Sequence, residues 1–148
     1  MTQPRLRRSR GFTLIETMIT VAIAGVLSSV AYPSIEGQVL RARRTDALVA
    51  LMQAQLAQER YRANNAVYAN LAEAGLRATS PGGHYTLQVT AIGADGYALL
   101  ASANGAQARD TSCRYLRLAL ADASLSYASG TDASTANSAD VNRRCWSR

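Results

Sequence analysis

The first strong pattern along the chain is an uninterrupted apolar run close to its N-terminus. Residues 12–32 contain no Lys, Arg or Asp, and their single charge is the carboxylate of Glu16. These 21 residues are about as many as a helix needs to cross the hydrocarbon core of a membrane. The run therefore predicts a membrane-spanning helix, and Glu16 needs a functional explanation because a charge is unfavourable in that setting.

Beyond Pro33 the pattern changes to the spacing of an amphipathic helix. Apolar residues recur at three- or four-residue intervals, which predicts that the helix continues to about Asn64 and buries one face. The predicted buried face consists of Ile35, Val39, Ala42, Val49, Met52 and Leu56. A second set, which comprises Leu40, Leu48, Leu51 and Gln55, broadens the face that we expect to pack on a sheet.

The second half of the chain shows the alternation of short strands. Tyr85, Leu87 and Val89 predict one strand, residues 97–103 its partner after a turn at 93–96, and residues 115–120 a third, with 125–127 as a candidate fourth. An antiparallel meander on the helix is the economical assembly, because a lone hairpin is marginal. Residues 66–83 are predicted as a loop that ends in a turn at 80–83, and 104–105 as another turn. Residues 128–142 have no apolar period and are predicted as a loop.

Charge adds a short basic segment in front of the apolar run. All 16 basic residues are arginines, and removal of residues 1–11 leaves 12 basic residues against 10 acidic ones. The high isoelectric point of the chain is therefore due mostly to the arginines of the N-terminal tail, and it gives only weak support for a nucleic-acid partner. Arginines that flank a span favour the cytoplasm, which predicts a cytoplasmic N-terminus and a translocated C-terminal domain. Arg41, Arg43 and Arg44 weaken this inference, although they lie farther from the run.

Two cysteines, Cys113 and Cys145, lie in the half that is predicted to be translocated. An even number of cysteines outside the cytosol favours a disulfide over two buried thiols. A bond between them would hold the polar residues 128–142 against the last strand, and Trp146 would pack beside it.

The residues Gly11-Phe12-Thr13-Leu14-Ile15-Glu16, preceded by a short basic leader, resemble the processing signal of the type IV pilins and related pseudopilins. The resemblance implies that a prepilin peptidase cuts between Gly11 and Phe12 and that the new amino group of Phe12 is methylated. It also implies that the segment from Gly25 to Pro33 unwinds on polymerisation. A chain that ends soon after Cys-Trp, behind a disulfide-bounded region, is similar to PilE-like minor pilins.

The resemblance implies an α+β pilin fold, with a long N-terminal helix on a small antiparallel sheet and a disulfide-bounded C-terminal loop. The expected organisation is a cleaved leader at 1–11, a transmembrane and assembly helix at 12–33, and a periplasmic or extracellular head at 34–148. Thr13 and Glu16 also match the Ser/Thr-x-x-Glu pattern of a helix capping box. Removal of the leader would make Thr13 the second residue, so we favour an assembly role for Glu16 over a capping role.

The remaining residues offer little for catalysis. His84 is the only histidine, neither cysteine has a neighbouring base in sequence, and no phosphate-binding glycine loop appears. The aspartates at 95, 110, 122, 132 and 140 lack the spacing of a calcium loop. The sequence therefore predicts no enzyme activity, no cofactor and no metal site.

The leading hypothesis is a structural pilus subunit, of the minor type, that waits in the inner membrane and is then extracted into a filament at the cell surface. Its expected partners are other pilin subunits, the prepilin peptidase and the inner-membrane assembly machinery. In the filament, Glu16 would pair with the free amino group of Phe12 on a neighbouring subunit. The alternatives are a type II secretion pseudopilin, an ordinary single-span protein, and a DNA-uptake pilin that uses Arg109, Arg114, Arg117, Arg143 and Arg144.

Overall fold

The computed structural model describes residues 11–146, apart from the side chains of residues 30–34. The helix α1 spans Leu14–Arg62, and the strands are β1 (Tyr85–Ile92), β2 (Gly96–Ala103), β3 (Tyr115–Ala121) and β4 (Ser124–Gly130). Two short 3₁₀ turns, Gly105–Arg109 and Thr111–Cys113, lie between β2 and β3 and are called the 3₁₀ segment below. A second helix, α2, spans Ala139–Cys145. The chain forms two compact units, Met1–Glu36 and Gly37–Arg148, which are considered separately.

The four strands form one antiparallel sheet in the order β1-β2-β3-β4, which confirms the predicted meander. Leu99 lies opposite Val89 on one side and Leu118 on the other, so apolar residues align in rows across the sheet. The helix-facing rows include Leu87, Leu99, Leu116 and Leu118, each at most 3% exposed. These rows and α1 enclose the core of the second unit, which confirms the α+β fold.

The helix α1 ends at Arg62, two residues before the predicted end, and Arg60 and Arg62 carry positive charge in its last turn. The prediction of its buried face was correct only in part. Leu51 of the second predicted set is fully buried, and Leu48 packs partly buried against the core. Five residues of the predicted face are 40–61% exposed: Ile35, Val39, Val49, Met52 and Leu56. The face that packs on the sheet consists of Ala47, Ala50, Leu51, Ala54 and Gln58. Small alanine side chains allow the sheet to pack densely against the helix, whereas most of the larger apolar residues lie outside.

The C-terminal loop prediction was wrong in part. Residues 128–130 continue β4, and residues 139–145 form α2. The turn predicted at 104–105 is the start of the 3₁₀ segment rather than a tight hairpin turn. The turn at 80–83 is confirmed by a hydrogen bond from the Gly83 N–H to the Ser80 carbonyl (2.9 Å).

The fully buried side chain of Gln58 holds the loop between α1 and β1. Its amide nitrogen donates to the Ala69 carbonyl (2.6 Å), and its amide oxygen accepts from the Ala69 N–H (2.8 Å). Both main-chain groups of Ala69 are therefore satisfied by one side chain. No sequence pattern pointed to this pair, because a glutamine on a helix is normally solvated.

Replacement of Gln58 by leucine is expected to lower the free energy of unfolding by about 2–3 kcal/mol, because two buried main-chain groups lose their partners. Urea unfolding of purified protein measures the effect. Gln53→Leu is the matched control, because Gln53 is exposed on the same helix. Equal stability of the two variants would contradict the role given to Gln58.

Asp46 anchors the turn that precedes β1. Its carboxylate accepts hydrogen bonds from the Ser80 hydroxyl (2.5 Å), the Gly82 N–H (2.7 Å) and the His84 N–H (3.2 Å). Burial raises the pKa of Asp46, but these hydrogen bonds outweigh burial and hold the pKa below its ordinary value. His84 thus contributes its main chain to a structural contact.

The lowered pKa of Asp46 makes its contribution to stability dependent on pH. A depressed folded-state pKa stabilises the fold above the unfolded value of about 3.9, and the contribution disappears as the pH falls through the folded value. We expect Asp46→Asn to lose about 1–2 kcal/mol at pH 7 and progressively less below pH 4. Asp95→Asn, at an exposed turn, is the control, and a pH-independent difference between wild type and Asp46→Asn would contradict this account.

Within the part of the chain that is described, no helix is both long and apolar enough to cross a membrane. The predicted span at 12–33 includes residues 30–33, whose side chains lie outside the described set. Residues 1–10 of the predicted leader also lie outside it. The span and the leader therefore stay predictions.

Candidate functional site

The start of α1 is a complete capping box. The Thr13 N–H and hydroxyl both donate to Oε2 of Glu16 (2.9 and 2.7 Å), and the Glu16 N–H donates to the Thr13 hydroxyl (3.3 Å). Thr13 and Glu16 thus satisfy two N–H groups at the helix start. The capping role that we ranked second is present in the unprocessed chain. All described hydrogen bonds to the Glu16 carboxylate use Oε2, so among the described residues Oε1 remains available for a further donor.

An apolar surface surrounds this carboxylate in the first unit. Gly11 and Phe12 precede the helix in extended or irregular backbone, and Phe12 is 84% exposed. The large apolar side chains that follow it are all more than half exposed: Leu14, Ile15, Met18, Ile19, Val21, Ile23, Val26 and Leu27. A contiguous apolar surface of this kind marks a site for contact with another protein or with lipid.

Gly25 and Pro33 lie within α1, which the structure shows as a continuous helix from Leu14 to Arg62. The space around Gly25 is open, and the side chain of Pro33 lies outside the described residues. Ser28 and Ser29 donate to the carbonyls of Ala24 and Val26, both at 2.7 Å. Such back-bonding by serine weakens and bends helices. These two serine hydrogen bonds accord with a weak helical segment between Gly25 and Pro33.

The predicted disulfide between Cys113 and Cys145 is present, with a Cα–Cα distance of 5.5 Å. It joins the 3₁₀ segment to the last residue of α2, and both cysteines are buried. Trp146 follows the bond directly, and its indole N–H donates to the Ala128 carbonyl of β4 (3.1 Å). Its ring meets that of Tyr127 edge-on at 4.9 Å. The bond therefore fixes α2 against the open edge of the sheet, as the sequence predicted for this tail.

A buried polar network that the sequence did not reveal links α1 to the 3₁₀ segment. Arg44 binds Asp110 with two hydrogen bonds, Nε to Oδ2 at 2.5 Å and Nη2 to Oδ1 at 2.8 Å. Gln107 donates to the Leu40 carbonyl and to the Tyr85 hydroxyl, both at 3.0 Å. Burial raises the pKa of Tyr85 to about 12, so its hydroxyl stays neutral. Asp110 lies 66 positions from Arg44, too far for a local pattern to predict.

The five arginines considered for DNA are spread over the β2–β3 connection, β3 and α2. Arg109 and Arg114 donate to the carbonyls of Ala106 and Ala108 in the 3₁₀ segment. Arg117 is half-buried on β3, and Arg143 forms an ion pair with Asp140 within α2. Arg144 is the only one of the five that lies beside the disulfide in a cleft with arginines of α1.

Comparison with known proteins identifies the class of this chain. A family model described as type IV minor pilin ComP, DNA uptake sequence receptor, matches residues 33–117. A second model, the prokaryotic N-terminal methylation motif, matches residues 6–32. The chain belongs to the type IV minor pilin family.

Of three similar curated proteins, two are type IV pilus components and one belongs to a type II secretion system. The type IV wide pilus major component PilA4 of Thermus thermophilus is 32% identical over 104 residues, which cover 68% of this chain and 78% of that protein. The type IV major pilin PilA of Myxococcus xanthus is 34% identical over 88 residues, or 60% of this chain and 40% of that protein. The type II secretion system core protein G of Vibrio cholerae is 33% identical over 64 residues, or 43% of this chain and 44% of that protein.

Membership of this family gives the general function. Type IV pilins are structural proteins that assemble with other pilin subunits into filaments at the cell surface. The chain is therefore a structural subunit of a type IV pilus.

Proposed function

We propose that the protein is processed between Gly11 and Phe12 by a prepilin peptidase, methylated at Phe12, and assembled through the first half of α1. The observation that carries this proposal is a lone carboxylate, Glu16, within an exposed apolar surface that begins at Phe12. The match of residues 6–32 to the N-terminal methylation motif supports both the cleavage position and the modification.

The proposed role of Glu16 follows from the chemistry of assembly. When apolar helices pack side by side, a carboxylate among them is strongly disfavoured unless a cation pairs with it. Cleavage creates such a cation, the ammonium of Phe12, at the start of the same apolar segment. Pairing of Glu16 with Phe12 of a neighbouring subunit sets the axial register between helices. Such pairs contribute specificity more surely than stability.

Before assembly, we propose, the segment at 12–33 holds the subunit in the inner membrane, with residues 34–148 on the periplasmic side. The assembly machinery of that membrane then extracts it. The segment from Gly25 to Pro33 is where the helix unwinds, because Pro33 cannot donate the helix hydrogen bond to the carbonyl four residues earlier. The back-bonded Ser28 and Ser29 lie within this segment.

The processing step is tested in cells with and without an active prepilin peptidase. N-terminal sequencing of the membrane fraction should find Phe12 as the first residue only when the peptidase is active. Recovery of protein that still begins with Met1 in peptidase-positive cells would support an ordinary membrane protein instead.

A second candidate function is capture of DNA for uptake, because the matching family model is described as a DNA uptake sequence receptor. Phosphate contacts by arginine would make binding fall steeply as salt rises. Gel retardation of short DNA duplexes by the purified protein, at two salt concentrations, tests this candidate. Absence of a salt-sensitive shift would dismiss it.

A further inference from the structure

A cleft lined by three arginines opens beside the disulfide. Its walls are Arg41 and Arg44 of α1, Ser112 and Cys113 of the 3₁₀ segment, and Arg144 and Cys145 of α2, and its volume is about 370 Å³. We call it the arginine cleft. All of its residues belong to the second compact unit, Gly37–Arg148.

The cleft carries uncompensated positive charge. Arg44 is neutralised by Asp110, and its Nη1 also donates to the Arg144 carbonyl (3.2 Å), which ties α2 to α1. Arg41 and Arg144 are exposed, and among the described residues neither guanidinium has a hydrogen-bond partner or a carboxylate within ion-pair distance. Two free guanidinium groups thus face one cavity, beside a third that already binds a carboxylate through two hydrogen bonds.

The opposite end of the same sheet presents two exposed carboxylates, and among the described residues neither has an ion-pair partner. In a meander, the β1–β2 and β3–β4 turns lie at one end, and the β2–β3 connection, which contains Ser112 and Cys113, lies at the other. Asp95 lies in the β1–β2 turn and Asp122 in the β3–β4 turn. Both residues are exposed, and they line one depression of about 380 Å³. Arg117 reaches that depression from farther along β3, where it lies opposite Leu100.

The turn at Asp122 has a backbone that suits an exposed carboxylate. Asp122 and Ala123 have positive φ angles of 48° and 60°, which is the conformation of a two-residue hairpin turn. The turn therefore holds Asp122 at the tip of a rigid hairpin. A carboxylate on such a tip has little conformational freedom to lose on binding.

We propose that the arginine cleft binds the acidic turns at Asp95 and Asp122 of a second copy of this chain, so that neighbouring heads contact one another head to tail. The complementary charges lie at opposite ends of one sheet, so the same contact can repeat from copy to copy. A heterologous contact of this kind forms an open filament when the rotation between copies does not close into a ring. The inference rests on the assignment of the chain as a filament subunit, and it adds a charged contact between heads to the packing of α1.

The test uses the full chain expressed in its own cells, with the amount recovered in sheared filaments as the readout. Reversal of the cleft charge by Arg41→Glu with Arg144→Glu places like charges in contact, and filament incorporation should fall by about ten-fold or more. Arg60→Glu with Arg77→Glu makes the same charge change at exposed positions outside the cleft and should leave incorporation unchanged. The acidic-turn variant, Asp95→Arg with Asp122→Arg, should show the same loss as the cleft variant without any change in the cleft.

Combination of the cleft and acidic-turn variants in one chain restores complementarity and should return incorporation to within about two-fold of wild type. Wild-type incorporation of either double variant would overturn the proposal, and so would failure of the combined variant to recover. Normal incorporation of the cleft variant with loss of salt-sensitive DNA retardation would assign the cleft to nucleic acid and also overturn it. Absence of the unmodified protein from sheared filaments would instead contradict the subunit assignment itself.

Discussion

Replacement of Glu16 by glutamine is expected to leave leader removal intact and to remove the protein from filaments. Glutamine keeps the shape of the side chain and can still accept the hydrogen bonds of a capping box. It cannot neutralise the ammonium of Phe12 on a neighbouring helix. Removal of one partner from a buried ion pair is unfavourable by about 3–5 kcal/mol, so incorporation should fall by about a hundred-fold or more.

A matched pair of variants separates the two roles of Glu16. Thr13→Val removes the hydroxyl that bonds to Glu16 but leaves the carboxylate in place. Under our account this variant is incorporated, whereas Glu16→Gln and Glu16→Ala are not. Quantitative immunoblots of sheared filaments and of the membrane fraction measure incorporation and leader removal together. If Glu16→Gln were incorporated at the wild-type level, helix capping would suffice to explain the residue.

Removal of the disulfide by Cys113→Ser with Cys145→Ser is expected to lower the free energy of unfolding by about 3–4 kcal/mol. The two cysteines are 32 positions apart, so the unfolded chain gains the entropy of a long loop when the bond is lost. The segment that the bond closes is polar, and it depends on this bond for its place on the sheet. The effect is measured by urea unfolding, with reduced wild-type protein as the control that should match the variant.

The single tryptophan of the chain reports on the same region. Trp146 is 6% exposed and packs on Tyr127. If the bond holds α2 in place, its removal should shift the fluorescence of Trp146 to longer wavelength before the sheet unfolds. A variant with unchanged fluorescence and a stability loss below about 1 kcal/mol would show that α2 docks without the bond.

The sequence predicted the long helix and the strands well, because their patterns are local. The long helix follows from a continuous apolar run and then from three- or four-residue spacing, and the strands follow from alternation at Tyr85, Leu87 and Val89. Two cysteines in a half predicted to be translocated were enough to predict their bond. The motif at Gly11 to Glu16 is also local, and it pointed to the family that the comparisons support.

The face of α1 was mispredicted for a physical reason. The prediction placed large apolar residues on the buried face. Of these, Leu51 is buried, but the helix otherwise packs on the sheet through alanines and keeps Val49, Met52 and Leu56 outside. Hydrophobicity alone does not show whether a helix is packed closely through small residues. These exposed residues form an apolar surface on α1 within the second unit, which accords with a helix that meets other subunits.

The helix α2 and the network around Arg44 depend on distant partners. Residues 139–145 have no apolar period. Their helix is held by the disulfide of Cys145 and by the neighbouring Trp146, whose indole N–H donates to the Ala128 carbonyl of β4. Arg44 and Asp110 are 66 positions apart and are brought together by the packing of the 3₁₀ segment against α1. Neither feature leaves a local signal, and both contribute walls to the arginine cleft.

Mass spectrometry of sheared, purified filaments shows whether the processed, disulfide-bonded subunit is present in the filament. We expect an N-terminal peptide that begins at Phe12 and carries one methyl group on its amino nitrogen, together with a peptide pair linked through Cys113 and Cys145. Both should be found in the filament fraction of wild-type cells and lost from that fraction with Glu16→Gln. Filaments that lack this protein, or that contain it with residues 1–11 still attached, would contradict the account.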